Sequence, residues 1–266
     1  MQKRIIKQIP KFLKPALKLI NKPNTLLKDY NMTKVPYLKT QDLINTHSNT
    51  PSNTPSLKKP GLLVLDVDAT LIEEEVIDLL GDIAGVGCDL ADITSKAMQG
   101  KMDFNTSLKL RVSMLKGLDY SCVKQVAQNI HVTNGAKKLI SSLHSFGWKV
   151  GAVSGGFKQV LDDFLPKLNI DFWVANNLEV VDSKLSGKVI DPIVNRQYKA
   201  KALTNWARKN NIDIAQSVAI GDGANDIDMI KTAGLGVAFC AKQLLKSQAK
   251  SSIDTRDLSL VLDLLN

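Results

Sequence analysis

Histidine and cysteine are both scarce in this chain, at three each in 266 residues. Cys88, Cys122 and Cys240 are odd in number and unspaced for metal, which argues for idle thiols in a reducing, cytoplasmic setting and against a disulfide framework. His47, His131 and His144 fall outside every motif described below, which argues against a zinc site. Long apolar runs are also missing, so nothing reads as a bilayer-spanning helix. With 44% hydrophobic residues, the composition is that of a soluble globular protein able to bury a large core.

Acidic residues are nearly absent from the first 60 positions, which hold 12 Lys and Arg against 2 Asp and Glu, a net of +10. The remainder holds 23 against 24, a net of −1, so the basic character belongs to a tail. Within 1–60, residues Asn45 to Lys59 are rich in Ser, Thr, Asn and Pro and read as a flexible linker. Ile5, Ile6, Ile9, Phe12, Leu13, Ala16, Leu17 and Ile20 recur at helical spacing opposite lysines, although Pro10 and Pro15 oppose one unbroken helix. Four readings fit this stretch: weak contact with a membrane surface, an organelle-targeting peptide, non-specific nucleic-acid binding, or a tail without a role of its own. The lack of aromatic interleaving gives no basis for specific nucleic-acid recognition. Oligomeric state is open between monomer and homodimer.

The most informative segment is Leu62-Leu-Val-Leu-Asp66-Val-Asp68-Ala-Thr70. A short apolar run predicts a buried strand, and the two acids at its C-terminal end are expected on a loop rather than inside the core. There they suit a carboxylate nucleophile with a neighbouring acid/base, the alternative being a solvated turn. A second strand, Trp148 to Val153, ends in Ser154-Gly155-Gly156 with a helix expected from Phe157. Its hydroxyl and flexible backbone can surround a phosphate. A third, Ser217 to Ile220, ends in Gly221-Asp222-Gly223-Ala-Asn225-Asp226. Between these, Lys199 opens a helical stretch to Lys209 and offers a point charge for phosphate. If Asp66, Asp68 and Asp222 converge, their repulsion is on the order of several kcal/mol at an effective dielectric of about 20. Such a cluster raises its pKa values or holds a cation. Oxygen-only ligands beside a phosphate favour Mg2+.

From Gly61 onward strands alternate with helical stretches. That predicts an α/β fold, a Rossmann-like doubly wound parallel sheet with sites at the C-terminal strand ends. Residues 76–132 break the rhythm with helix-like segments and read as a small helical cap inserted after the first strand, leaving 61–75 and 133–266 as the core. Leu178 to Ile190 reads as a β-hairpin, and Leu258 to Leu265 as a closing helix.

These four motifs resemble those of the haloacid dehalogenase (HAD)-like phosphatases, and the finer pattern is similar to the phosphoserine phosphatases among them. The likeness runs from about Gly61 to Asn266. It includes Ala97-Met98-x-Gly100, Phe104-x-x-Ser107-Leu108-x-x-Arg111-Val112, Val153-Ser-Gly-Gly-Phe157, Ala175-Asn176-x-Leu178-Glu179 and Ala233-Gly-Leu-Gly-Val-Ala-Phe239. The resemblance implies that Asp66 is the nucleophile and Asp68 the general acid/base. Asp66, the Asp68 carbonyl and Asp222 would hold magnesium. Ser154, Gly155 and Lys199 would hold the phosphoryl group, with Asn225 assisting.

By the same resemblance, Glu75 and Arg111 meet the ammonium and carboxylate of O-phospho-L-serine, while Met98 and Phe104 supply apolar walls. Residue chemistry agrees, since an Arg fork suits a carboxylate and a Glu accepts from an ammonium. The solvated Glu73-Glu74-Glu75 run and the recurrence of Phe104, Leu108, Val112 and Leu115 at helical spacing leave surface or core roles open for these residues. Ala69 stands where the family usually has Ser, and Asn134 where Pro is common; neither removes a ligand. Residues 1–60 do not resemble the amino-acid-binding regulatory domain that some relatives carry. The expected activity is Mg2+-dependent hydrolysis of phosphoserine through an aspartyl-phosphate, the final step of serine biosynthesis. The alternatives are a phosphatase or phosphotransferase for another small phosphate ester or hydroxy amino acid, or an inactive scaffold with a binding tail.

Overall fold

The first strand, β1 (Leu62–Leu65), is buried along its whole length, and its alternating side chains explain its unbroken apolar run. Leu63 and Leu65 join one core cluster, with Leu139, Ile140, Leu143 and Val261. Leu62 and Val64 join a second, with Leu203, Ala207, Met229 and Ile230. A strand covered on both faces has no polar side to alternate with, and each such leucine contributes roughly 1.5–3 kcal/mol through burial. The structure is a computed structural model that describes residues 54–98 and 101–265. They belong to one compact unit, Thr50–Asn266.

Around β1 are set β2 (Lys149–Phe157), β3 (Phe172–Val181), β4 (Lys184–Ile190), β5 (Ser217–Gly221), β6 (Leu235–Phe239) and β7 (Ser251–Ile253). They form one seven-stranded sheet in the order β4-β3-β2-β1-β5-β6-β7. All neighbours are parallel except the edge pair β3–β4. Strand order reverses at β1, with β2 on one side and β5 on the other, and a crevice opens at the C-terminal ends of these three strands. This is the expected doubly wound α/β sheet.

Among the described residues, the first four of the five α-helices between β1 and β2 are α1 (Val76–Ala84), α2 (Gly87–Met98), α3 (Phe104–Ser113) and α4 (Tyr120–Asn129). The two segments that connect them to the sheet run side by side through an Ile72–Val132 bridge. The Glu73 amide donates to the His131 carbonyl at 3.0 Å, and the Thr133 amide to the Leu71 carbonyl at 2.9 Å. The fifth, α5 (Ala136–Ser145), leads into β2; beyond β2 come α6 (Lys158–Leu161), α7 (Arg196–Lys209) before β5, and α8 (Ile227–Thr232) and α9 (Gln243–Lys246) flanking β6.

Two expectations shift. β2 continues through Ser154-Gly-Gly to Phe157, with an irregularity in its pairing to β3 between Val153 and Phe157, and the helix that follows is a single turn. The segment at the end is a 3-10 helix, Leu258–Leu264, rather than an α-helix; it is short and its Leu258 and Val261 are the buried pair. Cys88 is exposed. The hairpin forms as expected, turning on Asp182 and Ser183 with φ of 49° and 59°, the paired positive values of a two-residue type I′ turn. The readings made of residues 1–53 lie outside the described residues. Among those described, no helix is long and apolar enough to cross a membrane.

Candidate active site

A cavity of about 660 Å³ sits at the reversal point, lined from the sheet side by Asp66, Asp68, Gly155, Gly156, Asp222 and Asn225. From the helical insertion Glu75, Asp78, Met102, Phe104, Ser107 and Arg111 face the same space. Eight of the sequence-derived residues therefore line one cavity, and two more stand directly behind it: Lys199 and Ser154 are both fully buried. Met98 ends α2, and its side chain lies outside the described residues; Met102, a few residues on, lines the cavity. Phe104 and the buried Leu108 both line the cavity, while Val112 and Leu115 on the same helical stripe are core.

Asp66 and Asp68 are only 3% and 8% exposed, which corrects the expectation that they ride on an open loop. Residues Val67–Leu71 coil into a tight turn beneath the insertion, with Asp68 extended and Ala69 left-handed at φ 53°. Asp66 Oδ1 caps that turn by accepting from the Val67 amide at 2.8 Å. The same oxygen accepts from Lys199 Nζ at 2.6 Å. Lys199 also donates to Asp226 Oδ1 at 2.7 Å, and Asp226 Oδ2 accepts from the Gly223 amide. Gly221 must be glycine here, since a Cβ would fall 2.4 Å from the Asp226 Cγ.

Asp68 is held from two sides. Its Oδ1 accepts from the amide of Val76, the first residue of α1, at 2.9 Å. Its Oδ2 accepts from Ser154 Oγ at 2.8 Å. Gly156 passes so close that a Cβ would lie 2.6 Å from Asp68 Oδ2, which is the reason for the second glycine of the motif.

The electrostatics follow from too many acids around one base. Burial pushes the Asp66 carboxyl well up, and Asp226 adds to it while Lys199 opposes. Asp222 is raised to about 6, by burial and then by Asp226. Burial disfavours the charged form of Lys199, yet Asp226 and Asp66 outweigh it and hold the ammonium above its usual range. Carboxylate oxygens of Asp66, Asp222 and Asp226 lie within 4.8 Å of one another. An all-oxygen set whose negative charge one lysine leaves in excess fits a hard cation. The carboxylate of Asp68 is not in that set, being turned toward Val76 and Ser154. Asp226 completes it instead; it stood in the sequence as the last residue of an Asp-rich turn, with its burial the one property the sequence does not display.

Glu75 and Arg111 line the same cavity, and the charge of Glu75 acts on Arg111. Glu75 opens onto the cavity, but the surrounding protein buries it enough to raise its carboxyl to about 8, with Asp68 and Asp222 adding to the rise. Arg111 is lowered by burial, against the opposing pull of Glu75 and Asp78. Its Nη1 donates to Thr94 Oγ1 and its Nε to the Ser107 carbonyl, both at 3.4 Å. Two further residues were not singled out from sequence: Asp78, one turn beyond Glu75 on α1, and Lys242, whose charge lowers both Glu75 and Asp222.

Residues 63–231 match the family model described as haloacid dehalogenase-like hydrolase. The chain is 50% identical over 206 residues to the phosphoserine phosphatase of Streptococcus thermophilus, covering 77% of this chain and 96% of that one. It is 42% identical over 205 residues to the phosphoserine phosphatase of Methanocaldococcus jannaschii, covering 77% and 97%. Among solved structures it resembles a phospho-aspartyl intermediate analogue of phosphoserine phosphatase, with a TM-score of 0.75 and 41% identity over 79% of this chain and all of the other. A substrate-bound phosphoserine phosphatase complex matches with the same TM-score at 40% identity, again over 79% of this chain and all of that one.

Proposed function

The chain belongs to the haloacid dehalogenase-like hydrolases, and from that premise we propose that it hydrolyses O-phospho-L-serine to L-serine and phosphate through an aspartyl-phosphate on Asp66. The observation that carries the reading is that one cavity is lined by Asp66 and Asp68 together with Glu75 and Arg111. Such a lining supplies groups for a phosphate and for a zwitterion in the same space. The names of the relatives, which the chain covers almost completely, support the same substrate. The reaction would be the last step of serine biosynthesis, carried out in the cytoplasm.

Asp66 Oδ1 is already bonded to Val67 and Lys199, which leaves Oδ2 as the attacking oxygen. Attack on phosphorus breaks the bond to the serine oxygen, and Asp68 supplies the proton that this alkoxide needs. Asp68 then takes a proton from the water that attacks the phosphoaspartate, releasing phosphate and restoring Asp66. Lys199, Ser154, the Gly155 amide and Asn225 balance charge on the transferring group, as positioning and electrostatics dominate phosphoryl transfer. Asp66, Asp222 and the Asp68 carbonyl would hold magnesium, with Asp226 behind them. The ion would supply charge neutralisation for the phosphoryl oxygens. Arg111 and Glu75 would orient the amino-acid end, with Phe104 and Met98 excluding water, and helices α1–α4 acting as the cap.

The test is phosphate release from phosphoserine with and without magnesium, for the native chain, Asp66→Asn and Arg111→Ala. Magnesium-dependent turnover that disappears in Asp66→Asn is expected, along with a rise in KM of about tenfold or more for Arg111→Ala, the size of a lost charged hydrogen bond. Native turnover of another ester but not of phosphoserine would keep the chemistry and discard the substrate. Arg111→Ala with unchanged kinetics would discard the clamp.

A further inference from the structure

Asn176 is fully buried in β3, although asparagine has four hydrogen-bonding valences to satisfy and is a poor strand residue. Its side chain reaches in two directions. Nδ2 donates to the Gly155 carbonyl at 2.8 Å. Oδ1 accepts from the Val194 amide at 2.7 Å, in the segment that leads into α7 and Lys199. The Gly155 carbonyl shares its peptide plane with the Gly156 amide, which donates to Ser154 Oγ at 2.7 Å. That bond occupies the hydroxyl oxygen and aims its proton at Asp68 Oδ2. A flexible Gly-Gly peptide is thus fixed at both ends, by Asn176 on its carbonyl and by Ser154 on its N–H.

We propose that Asn176 is a positioning residue for phosphoryl transfer, acting through the Gly155–Gly156 peptide to set the Ser154 hydroxyl against Asp68. Two glycines in sequence can rotate their shared peptide at little cost, and a rotation would carry the N–H off Ser154 and free the hydroxyl to turn away. Buried hydrogen bonds in a chain polarise one another, so the amide of Asn176 strengthens the Gly156 to Ser154 bond and, through it, the Ser154 to Asp68 bond. The Val194 arm ties the same asparagine to the strand-to-helix segment ahead of Lys199. Asn176 is not among the described residues that line the cavity, so its effect falls on Ser154 and Asp68 rather than on the contacts of Glu75 and Arg111 with substrate.

This inference rests on the phosphatase reading but not on phosphoserine as substrate. The test is a double-mutant cycle with Ser154→Ala, using phosphoserine and p-nitrophenyl phosphate in parallel. Asn176→Asp keeps the side-chain size and the acceptor for Val194 but turns an oxygen toward the Gly155 carbonyl. Expected is a fall in kcat of about tenfold or more with KM for phosphoserine within about threefold, and a further loss of under about threefold when Ser154 is already alanine. Equal fold-losses on the two backgrounds, or a change confined to KM, would overturn the proposal. If a melting curve shows that Asn176→Asp does not fold, Asn176→Ser is carried through the same cycle and judged by the same outcomes. A native chain that turns over only p-nitrophenyl phosphate discards phosphoserine, and the cycle is then read on that ester.

Discussion

Lys199 and Glu75 are charged residues in opposite predicaments. Lys199 is buried with two carboxylates and gains from both, so removing it strands Asp66 and Asp226 without a counter-charge. Lys199→Met is therefore expected to lower stability by roughly 3–5 kcal/mol, the range for breaking a buried pair from one side, measured by urea unfolding at neutral pH. A native-like midpoint would mean that a cation or protons replace the lysine. Among the described residues the Glu75 carboxylate has no hydrogen-bond or ion-pair partner, and burial raises it to about 8. Below that pH the free site carries a proton, whereas an ammonium needs the ionised form. Binding of L-serine to the metal-free chain near pH 7 should then release up to one proton, read by calorimetry in buffers of different ionisation enthalpy. Release should vanish in Glu75→Gln and fade above about pH 9, once Glu75 is already ionised. Of these residues the sequence displayed chemistry but not surroundings. Asp66, Asp68, Lys199 and Asp222 announce themselves by type and by following strands, while the burial that makes Asp226 and Asn176 matter comes from segments far away in the chain.

At the scale of elements, apolar runs were legible wherever a strand is covered on both faces, as in β1 and β5. The β3–β4 hairpin was legible from Asp182-Ser183, because few residue pairs accept two positive φ values. The continuation of β2 through Ser154-Gly-Gly was not, since glycines signal a break locally, whereas the strand resumes its pairing with β3 at Phe157, opposite Asn176. Nor was the joint at Asp171, where three elements meet. Its carboxylate accepts from Lys149 Nζ and the Val150 amide, both at 2.8 Å, and pairs with His144 Nε2 at 2.9 Å. Burial alone would raise its pKa, but these bonds more than offset that and hold it below the usual carboxylate range. A group depressed in the folded state stabilises above its unfolded pKa, near 3.9, and loses that contribution as pH falls through the lower folded value. Asp171→Asn should thus cost about 1–3 kcal/mol at pH 7, and the gap to the native chain should narrow steadily below about pH 4. A gap that stays constant down to pH 3 would mean that the shape of the side chain, not its charge, holds the joint.

For the whole molecule, the division of charge separates what the cavity needs from what the tail adds. Residues 1–53 hold 10 Lys and Arg against 2 Asp and Glu, so removing them takes the net charge from +9 to +1. Among the described residues, those lining the cavity lie between Asp66 and Leu244. The carbonyls of Ser56 and Lys59 accept from Gln216 Nε2, and a chain starting at Thr54 keeps those bonds. That shortened chain is expected to match the full one in kcat and in KM for phosphoserine within about twofold at 0.15 M salt, where charges beyond about 8 Å are screened. The two should part at low salt if the +8 of residues 1–53 draws a dianionic ester toward the site, because steering of this kind raises association rates and fades with ionic strength. Measuring kcat/KM for both chains from 0.02 to 0.3 M salt decides the matter, on a grid spanning Debye lengths from about 20 to 6 Å. Curves that coincide throughout leave the tail outside catalysis altogether. A gap that closes with salt makes it an electrostatic aid to capture, and one that persists at high salt would mean that residues 1–53 contribute to the site itself.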